Sequence, residues 1–308
     1  MCMMAILYRV ARNSPILVAA NREEAWSRPT LYPKIQSGTP RVVCGIDKQA
    51  GGTWLGVNQH GLFVTVTNRP KAGVSQERRS RGLLCREMLA CRSAREAADL
   101  AVSELSTGRY AGANYVCLDQ KAGLVVYGGN RIEVVELQPG LHTLSNGKLN
   151  DPHDQRHEFI HRMLTLHKLD SSVTFLAVAS RAFARKPDAE GRRGVVLTGG
   201  ECGTVSSTLV SLTKRIQQSV LQYCDGPPSD KHYQDLSALV RQVLSAGRNR
   251  KAAAKAAAQK DLALLGAGAP ADDDEFDADD LDLDLAGEFD DEIGDDDDLA
   301  GDDGADDR

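Results

Sequence analysis

The sequence predicts a layered α+β fold. Three observations carry that expectation: short apolar strand segments come in runs, helical segments come in pairs, and the two kinds of block alternate along 308 residues without an internal repeat. A doubly wound parallel sheet would interleave single strands with single helices instead. The length is ample for a buried core.

Residues 3–9 and 16–20 are apolar runs joined by Asn13-Ser14-Pro15, which reads as a hairpin. Val42–Ile46, Trp54–Val57 and Leu62–Thr67 follow as strands, punctuated by Gly51-Gly52 and by Asn58-Gln59-His60-Gly61. A helix pair comes next. Glu77–Cys91 places Leu83, Leu84, Met88 and Cys91 on one side, and Ser93 caps Ala94–Leu105. Asn114–Leu118, Leu124–Tyr127, Ile132–Leu137 and Leu141–Ser145 form a second run of strands. Helices at 153–168 and 171–183, a strand at Thr204–Leu212 and a helix at Lys231–Leu244 complete the body.

The net charge of -6 conceals a sharp polarity. Residues 272–308 hold 21 of the 43 acidic side chains and a single basic one, Arg308, whereas residues 1–271 carry 36 basic and 22 acidic side chains. The acidic stretch has too few large apolar residues to offset the entropy of ordering, so a disordered tail is expected. Three segments follow: a folded domain at 1–248, an Ala/Lys-rich helical spacer at 249–268 and the acidic tail at 269–308. The tail reads as a solubilising extension, a tether for a basic partner, or a flap that screens the basic body. Nucleic acid is not the expected partner, because the body's Lys and Arg are scattered and no recognition motif accompanies them.

Seven cysteines at 2, 44, 85, 91, 117, 202 and 224 show no paired spacing and no Cys-x-x-Cys. That pattern points to reduced thiols and a cytoplasmic setting. The N-terminal apolar run Met3–Leu7 is broken by Arg9 and Arg12, so no signal peptide is expected, and no stretch approaches a membrane span.

Cys2 is the residue with the most chemistry. Removal of Met1 would leave one residue carrying both a thiol, of ordinary pKa about 8.5, and an α-amine, of about 7.7. Such a nucleophile has its own general base. A tight first hairpin returns Asn21-Arg22-Glu23-Glu24 toward Cys2, where the Arg22 cation would favour a thiolate. Asn68 and Asn146 each close a predicted strand; such asparagines are turn formers, and their amides can also donate to an oxyanion.

Together, Met1-Cys2, Leu17-Val18-Ala19-Ala20-Asn21-Arg22-Glu23-Glu24, Ala50-Gly51-Gly52-Thr53-Trp54-Leu55-Gly56-Val57-Asn58 and Thr67-Asn68 resemble the NRDE, or transport and Golgi organisation 2, family. The resemblance runs from residue 2 to about residue 245. Such proteins are similar to the N-terminal nucleophile hydrolases, especially the branch with penicillin acylases and bile-salt hydrolases. The resemblance therefore implies a four-layer αββα sandwich, with Cys2 as nucleophile and Arg22 beside it. It also implies Asn68 and Asn146 as catalytic asparagines. Asn21, Glu24 and Trp54, from the same blocks, are the expected substrate-binding residues. Two positions depart from the pattern: Glu23 replaces an Asp, and Val205 stands where an Arg is expected.

The function implied is cleavage of a linear amide, or acyl transfer, with no cofactor. Its small-molecule ligand would be an amide, an acyl compound or a haem-like molecule. The second reading is a non-catalytic carrier of haem or acyl lipid in the same fold, although Cys44, Cys202 and the histidines are only generic ligands. The third is a zinc peptidase. His157-Glu158-Phe159-Ile160-His161 matches His-Glu-x-x-His on a helix, and His167 follows at the spacing of a third ligand. Leu164 stands where a glycine would turn the chain, however, and no methionine follows Met163. A solvated helix face is the expectation, with no metal bound.

Overall fold

The computed structural model describes residues 2–73 and 77–249, all within one compact unit, Met1–Gln259. Apart from residue 249, the expected spacer and acidic tail lie outside the described residues.

The chain forms β1 (Met3–Ala11), β2 (Ser14–Ala25), β3 (Thr30–Gln36), β4 (Val42–Asp47), β5 (Leu55–Asn58) and β6 (Phe63–Asn68) before its first helices, α1 (Arg81–Met88) and α2 (Ala94–Ser106). Then come β7 (Ala113–Leu118), β8 (Gly123–Gly128), β9 (Ile132–Glu136) and β10 (Gly140–Leu144). Next are α3 (Gln155–Thr165), α4 (Ser172–Phe183), β11 (Cys202–Leu212), β12 (Val220–Cys224) and β13 (Gln234–Asp235), with a final helix, α5, at 237–249. One sheet has the order β10-β1-β2-β11-β12-β13 and the other β3-β4-β5-β6-β7-β8-β9, with every neighbouring pair antiparallel.

Side-chain alternation builds the layers. In β1, Met4, Ile6 and Tyr8 pack with Val18 of β2 against Val43, Val57, Phe63 and Val116 of the facing sheet. Met3, Ala5 and Leu7 point the other way, onto Ile160 and Leu164 of α3 and Phe175, Ala179 and Phe183 of α4. On the far side, α1 and α2 bury Leu84, Met88, Ala97, Ala98 and Ala101 against Val64, Tyr115 and Val126. The result is the four-layer αββα sandwich. Ser93, Asp154 and Ser171 cap α2, α3 and α4 through their side-chain oxygens.

Several bounds differ from the sequence expectation, for physical reasons. Strand β2 runs on to Ala25, because pairing with β11 continues past the apolar core and carries Arg22, Glu23 and Glu24 in extended backbone. Strand β3 is a sheet edge, where Pro33 is tolerated at an irregularity between Leu31 and Lys34; that proline hid the strand. Gln234–Asp235 pairs with β12, and the last helix opens only at residue 237. Helix α1 starts four residues later than expected, since Arg79 bridges to Tyr110 in a short parallel pairing.

Candidate active site

Cys2 lies immediately before β1, and Met3 pairs with Asn21 across the first hairpin. Alternation then sends Met3 and Asn21 to the helix face, and Cys2 and Arg22 to the opposite face. Cys2, Arg22, Glu23, Glu24, Trp54 and Asn68 all line one cavity of about 400 Å³. The Asn21 amide instead donates to the Phe183 carbonyl at 3.0 Å, so it is a bridge to α4 and not part of the cavity wall. Strand parity places it on the helix face, away from the other expected substrate contacts, Glu24 and Trp54.

Ala50, Thr53 and Trp54, around Gly51-Gly52, form part of the cavity wall. A side chain on Gly52 would meet Gly82 backbone at 2.2 Å, so glycine lets this turn seat directly on the start of α1, where the Thr53 N–H donates to the Gly82 carbonyl at 2.9 Å. A side chain on Gly45 would collide with the Trp54 ring at 2.4 Å; glycine there admits the indole. The Arg22 guanidinium stacks on that indole, 4.2 Å from a ring centroid. Arg22 is 8% exposed and lies 3.8 Å from Glu24, which also faces Arg28 at 3.7 Å. Arg28 in turn grips Asp47 through two hydrogen bonds of 3.2 and 2.7 Å. Burial pulls the Arg22 pKa below its ordinary value, while Glu24 and Cys2 oppose that shift.

Burial pushes the Cys2 thiol up, and the nearby Glu23 carboxyl adds to it. The Glu23 N–H and the Arg22 cation act in the opposite direction. The resting thiol is therefore protonated and needs a base to react. The Asn146 side-chain oxygen accepts from the Cys2 nitrogen at 3.4 Å. The two expected oxyanion donors thus divide: Asn68 faces the cavity, whereas Asn146 presents its acceptor to Cys2.

Residues 145–147 are pinned from the seven-stranded sheet and from the cap of α3. The Ser145 carbonyl accepts from Thr67 at 2.8 Å and from Asn114 at 3.3 Å, the Gly147 carbonyl accepts from Arg69 at 2.8 Å, and the Ser145 hydroxyl donates to Asp154 at 2.9 Å. Behind Cys2, Glu23 reaches Arg156 of α3 at 3.3 Å, and Arg156 also pairs with Asp154. The longer side chain at 23 reaches this partner.

Burial raises the Glu23 pKa from 4.5 to about 7, against the pull of Arg156. A carboxyl raised by folding binds its proton more tightly in the folded chain than in the unfolded one. Its contribution is favourable at low pH, declines as pH rises from 4.5 through about 7, and is constant above that. The loss across this window is about 3 kcal/mol. Comparing urea unfolding at pH 5 and pH 8, Glu23→Gln should remove most of that pH-dependent loss; an unchanged difference between the two pH values would contradict it.

Some functional residues were missed at the sequence level. Arg28, Asp47, Arg78, Arg79 and Arg81 also line the cavity, and the buried Asn114 orders its rim. One signal was legible: Arg78-Arg79-Ser80-Arg81 puts cations at the positive end of a helix dipole, against the usual preference. Val205 falls at an irregularity of the β11–β2 pairing between Thr204 and Ser206. The cavity has cations nonetheless, from elements distant in sequence.

The His-Glu-x-x-His residues are placed in different surroundings. His157 is buried, and its Nδ1 accepts from the Asp151 N–H at 3.0 Å, whereas Glu158 and His161 are exposed. Among the described residues, no group of three or more His, Cys, Asp or Glu is arranged to hold a metal. No helix among them is long and apolar enough to cross a membrane.

The fold and site define a class: a four-layer αββα protein whose first strand presents a cysteine to a polar cavity. The sequence pattern of the transport and Golgi organisation 2 family matches residues 1–183, and the chain belongs to that family. The Bos taurus transport and Golgi organization protein 2 homolog is 31% identical over 153 residues, covering 46% of this chain and 55% of that one. The Homo sapiens homolog is 30% identical over 152 residues with the same coverage. The matched region thus spans about half the length of these curated relatives. Among solved structures, the Caenorhabditis elegans ortholog of N-acylethanolamine-hydrolyzing acid amidase is similar, at 15% identity and a TM-score of 0.45, covering 68% of this chain and 92% of that one. A C2A mutant of conjugated bile acid hydrolase from Clostridium perfringens is similar at 11% identity and a TM-score of 0.43, covering 77% and 93%.

Proposed function

We propose that this protein is an amidohydrolase or acyltransferase that uses Cys2 as an N-terminal nucleophile. The observation that carries the reading is the convergence of Cys2, Arg22 and Asn68 on one cavity, with Asn146 on the Cys2 nitrogen. In a chain processed to Cys2, that nitrogen is an amine. It takes the thiol proton, and Asn146 holds it in place by accepting one N–H. The thiolate attacks the amide carbonyl, and Asn68 donates to the oxygen that becomes negative. Collapse of the tetrahedral adduct breaks the C–N bond, and the ammonium of Cys2 protonates the departing amine. Water, or a second amine, then attacks the thioester, with the Cys2 amine again accepting the proton; a carboxylic acid or a new amide leaves.

The carrier reading has less support. Among the described residues no histidine or methionine lines the cavity, and the apolar hollow beside Trp54 between the sheets has room for about one water-sized molecule. The cysteines are free, which fits a reducing, cytoplasmic setting.

The reading requires a mature chain that begins at Cys2. Intact-mass measurement of protein purified from its native cell should show loss of Met1, and retention of Met1 would overturn the mechanism. With an acyl p-nitroanilide as probe, Asn68→Ala should lower kcat about a hundredfold with little change in KM. Equal loss through KM alone would assign Asn68 to binding.

A further inference from the structure

We infer that the cavity beside Cys2 recognises a small oxyanion, a carboxylate or a phosphate carried by the molecule whose amide is cleaved. This deepens the proposed amidohydrolase reading and rests on it. The inference comes from the wall made by Arg78, Ser80, Arg81 and Gly82, all of which face the cavity.

Most guanidinium groups of this cavity already have anionic partners. Arg28 is held by Asp47 and Glu24, Arg79 by Glu87 and Glu104, and Arg22 lies between Glu24 and the Trp54 ring. Arg81 differs. Its hydrogen bond goes to a neutral acceptor, the Gly112 carbonyl at 3.2 Å, and among the described residues no carboxylate lies within ion-pair distance of it. It is partly buried, and burial pulls its pKa below the ordinary value. Glu24 opposes that shift only from beyond ion-pair distance, and a guanidinium withdrawn from water without a paired carboxylate is costly unless a ligand supplies one. Arg78, exposed at the mouth, also has no ion pair among the described residues.

The backbone adds to this field. Helix α1 begins at Arg81 with no acidic residue in its first turn, and the Ser80 side chain makes no capping bond. Its first N–H groups are the positive end of the helix dipole. A helix start that carries Arg78 and Arg81, with no ion pair to either among the described residues, works against its own stability unless an anion sits there. The guanidinium fork and the positive end of the helix dipole match the oxygens of a carboxylate or phosphate. Cys2 lies on the same cavity, so a ligand anchored at α1 extends its scissile bond toward the thiol.

Alkylation of Cys2 tests this without needing turnover. Full-length protein is treated with iodoacetate or iodoacetamide at one pH, and the rate at Cys2 alone is read by peptide mass spectrometry. Because both reagents meet the same thiol, the ratio of their rates reports anion recognition and cancels thiol acidity. The ratio at Cys2 should exceed that of free glutathione by about tenfold or more. Arg81→Gln should lower it about tenfold, as for loss of one charge-assisted contact, Arg78→Gln should lower it less, and Arg81→Lys should restore part of it. A ratio equal to that of glutathione would overturn the inference, as would one unchanged in both glutamine variants. A fall in both rates by one factor would also overturn it, by assigning Arg81 to thiol acidity. Inorganic phosphate and acetate, each titrated as a protectant against iodoacetamide, separate the two anion classes; protection by neither would count against a site. Absence of amide turnover beside an intact anion preference would sink the proposed reaction and leave the anion site standing.

Discussion

On the proposed mechanism, replacing Cys2 by alanine is expected to lower turnover of an acyl p-nitroanilide by at least about 10⁴-fold, the scale on which removal of a nucleophile acts. An extension variant with alanine inserted before Cys2 shows a loss of similar size, although its thiol is intact. The reason is that burial pushes the thiol up, and in the proposed mechanism the base that takes its proton is the amine of the same residue. The other cysteines do not substitute. Cys44, Cys91 and Cys224 are buried, with their thiols pushed to about 11, and Cys85 and Cys117 are raised by burial as well. Cys202 is exposed, so the measurement is made in a Cys202→Ala background with labelled peptides identified by mass. Full activity in the extension variant would remove the amine from the mechanism, and full activity in Cys2→Ala would remove the nucleophile.

Gly52→Ala destabilises the protein by about 3 kcal/mol, the upper part of the usual range for overpacking. Its new methyl would lie 2.2 Å from the Gly82 carbonyl carbon and 2.5 Å from both the Gly82 oxygen and the Leu83 nitrogen. All three are backbone atoms, so no rotamer change relieves the contact. The turn must lift from α1, breaking the Thr53–Gly82 hydrogen bond and displacing both walls of the cavity. The reciprocal change, Gly82→Ala, places its methyl 3.0 Å from the Thr53 oxygen and gains helix propensity, so its net effect stays within about 1 kcal/mol. Denaturant unfolding of the two variants checks the contrast; a Gly52→Ala protein with wild-type stability would refute the account of this block.

The fold was legible because its signals are local. Apolar alternation in the first hairpin, the Ser93 cap and the paired helices each depend on residues a few positions apart. Strand β3 was not legible, since Pro33 argues against a strand unless the strand is known to be an edge. Much of the site was readable for a different reason. Cys2 and Arg22 are brought together by one hairpin, and Trp54 and Asn68 sit in or beside glycine-punctuated blocks. The facing of Asn21 was not legible: its side chain points to α4 because its neighbour Arg22 points into the cavity.

By itself, then, the sequence determined the α+β layering, the chemistry available at Cys2 and the strands that carry it. Those follow from periodicity and residue type. Tertiary structure alone decided the rest of the cavity. Arg28, Asp47, Arg81 and Asn114 come from segments whose separation in sequence says nothing of their distance in space. It also decided that Asn146 turns an acceptor to Cys2, because the 145–147 segment is pinned by hydrogen bonds from the seven-stranded sheet and the cap of α3. Such contacts depend on how two sheets and a helix end meet, and no local pattern encodes that meeting.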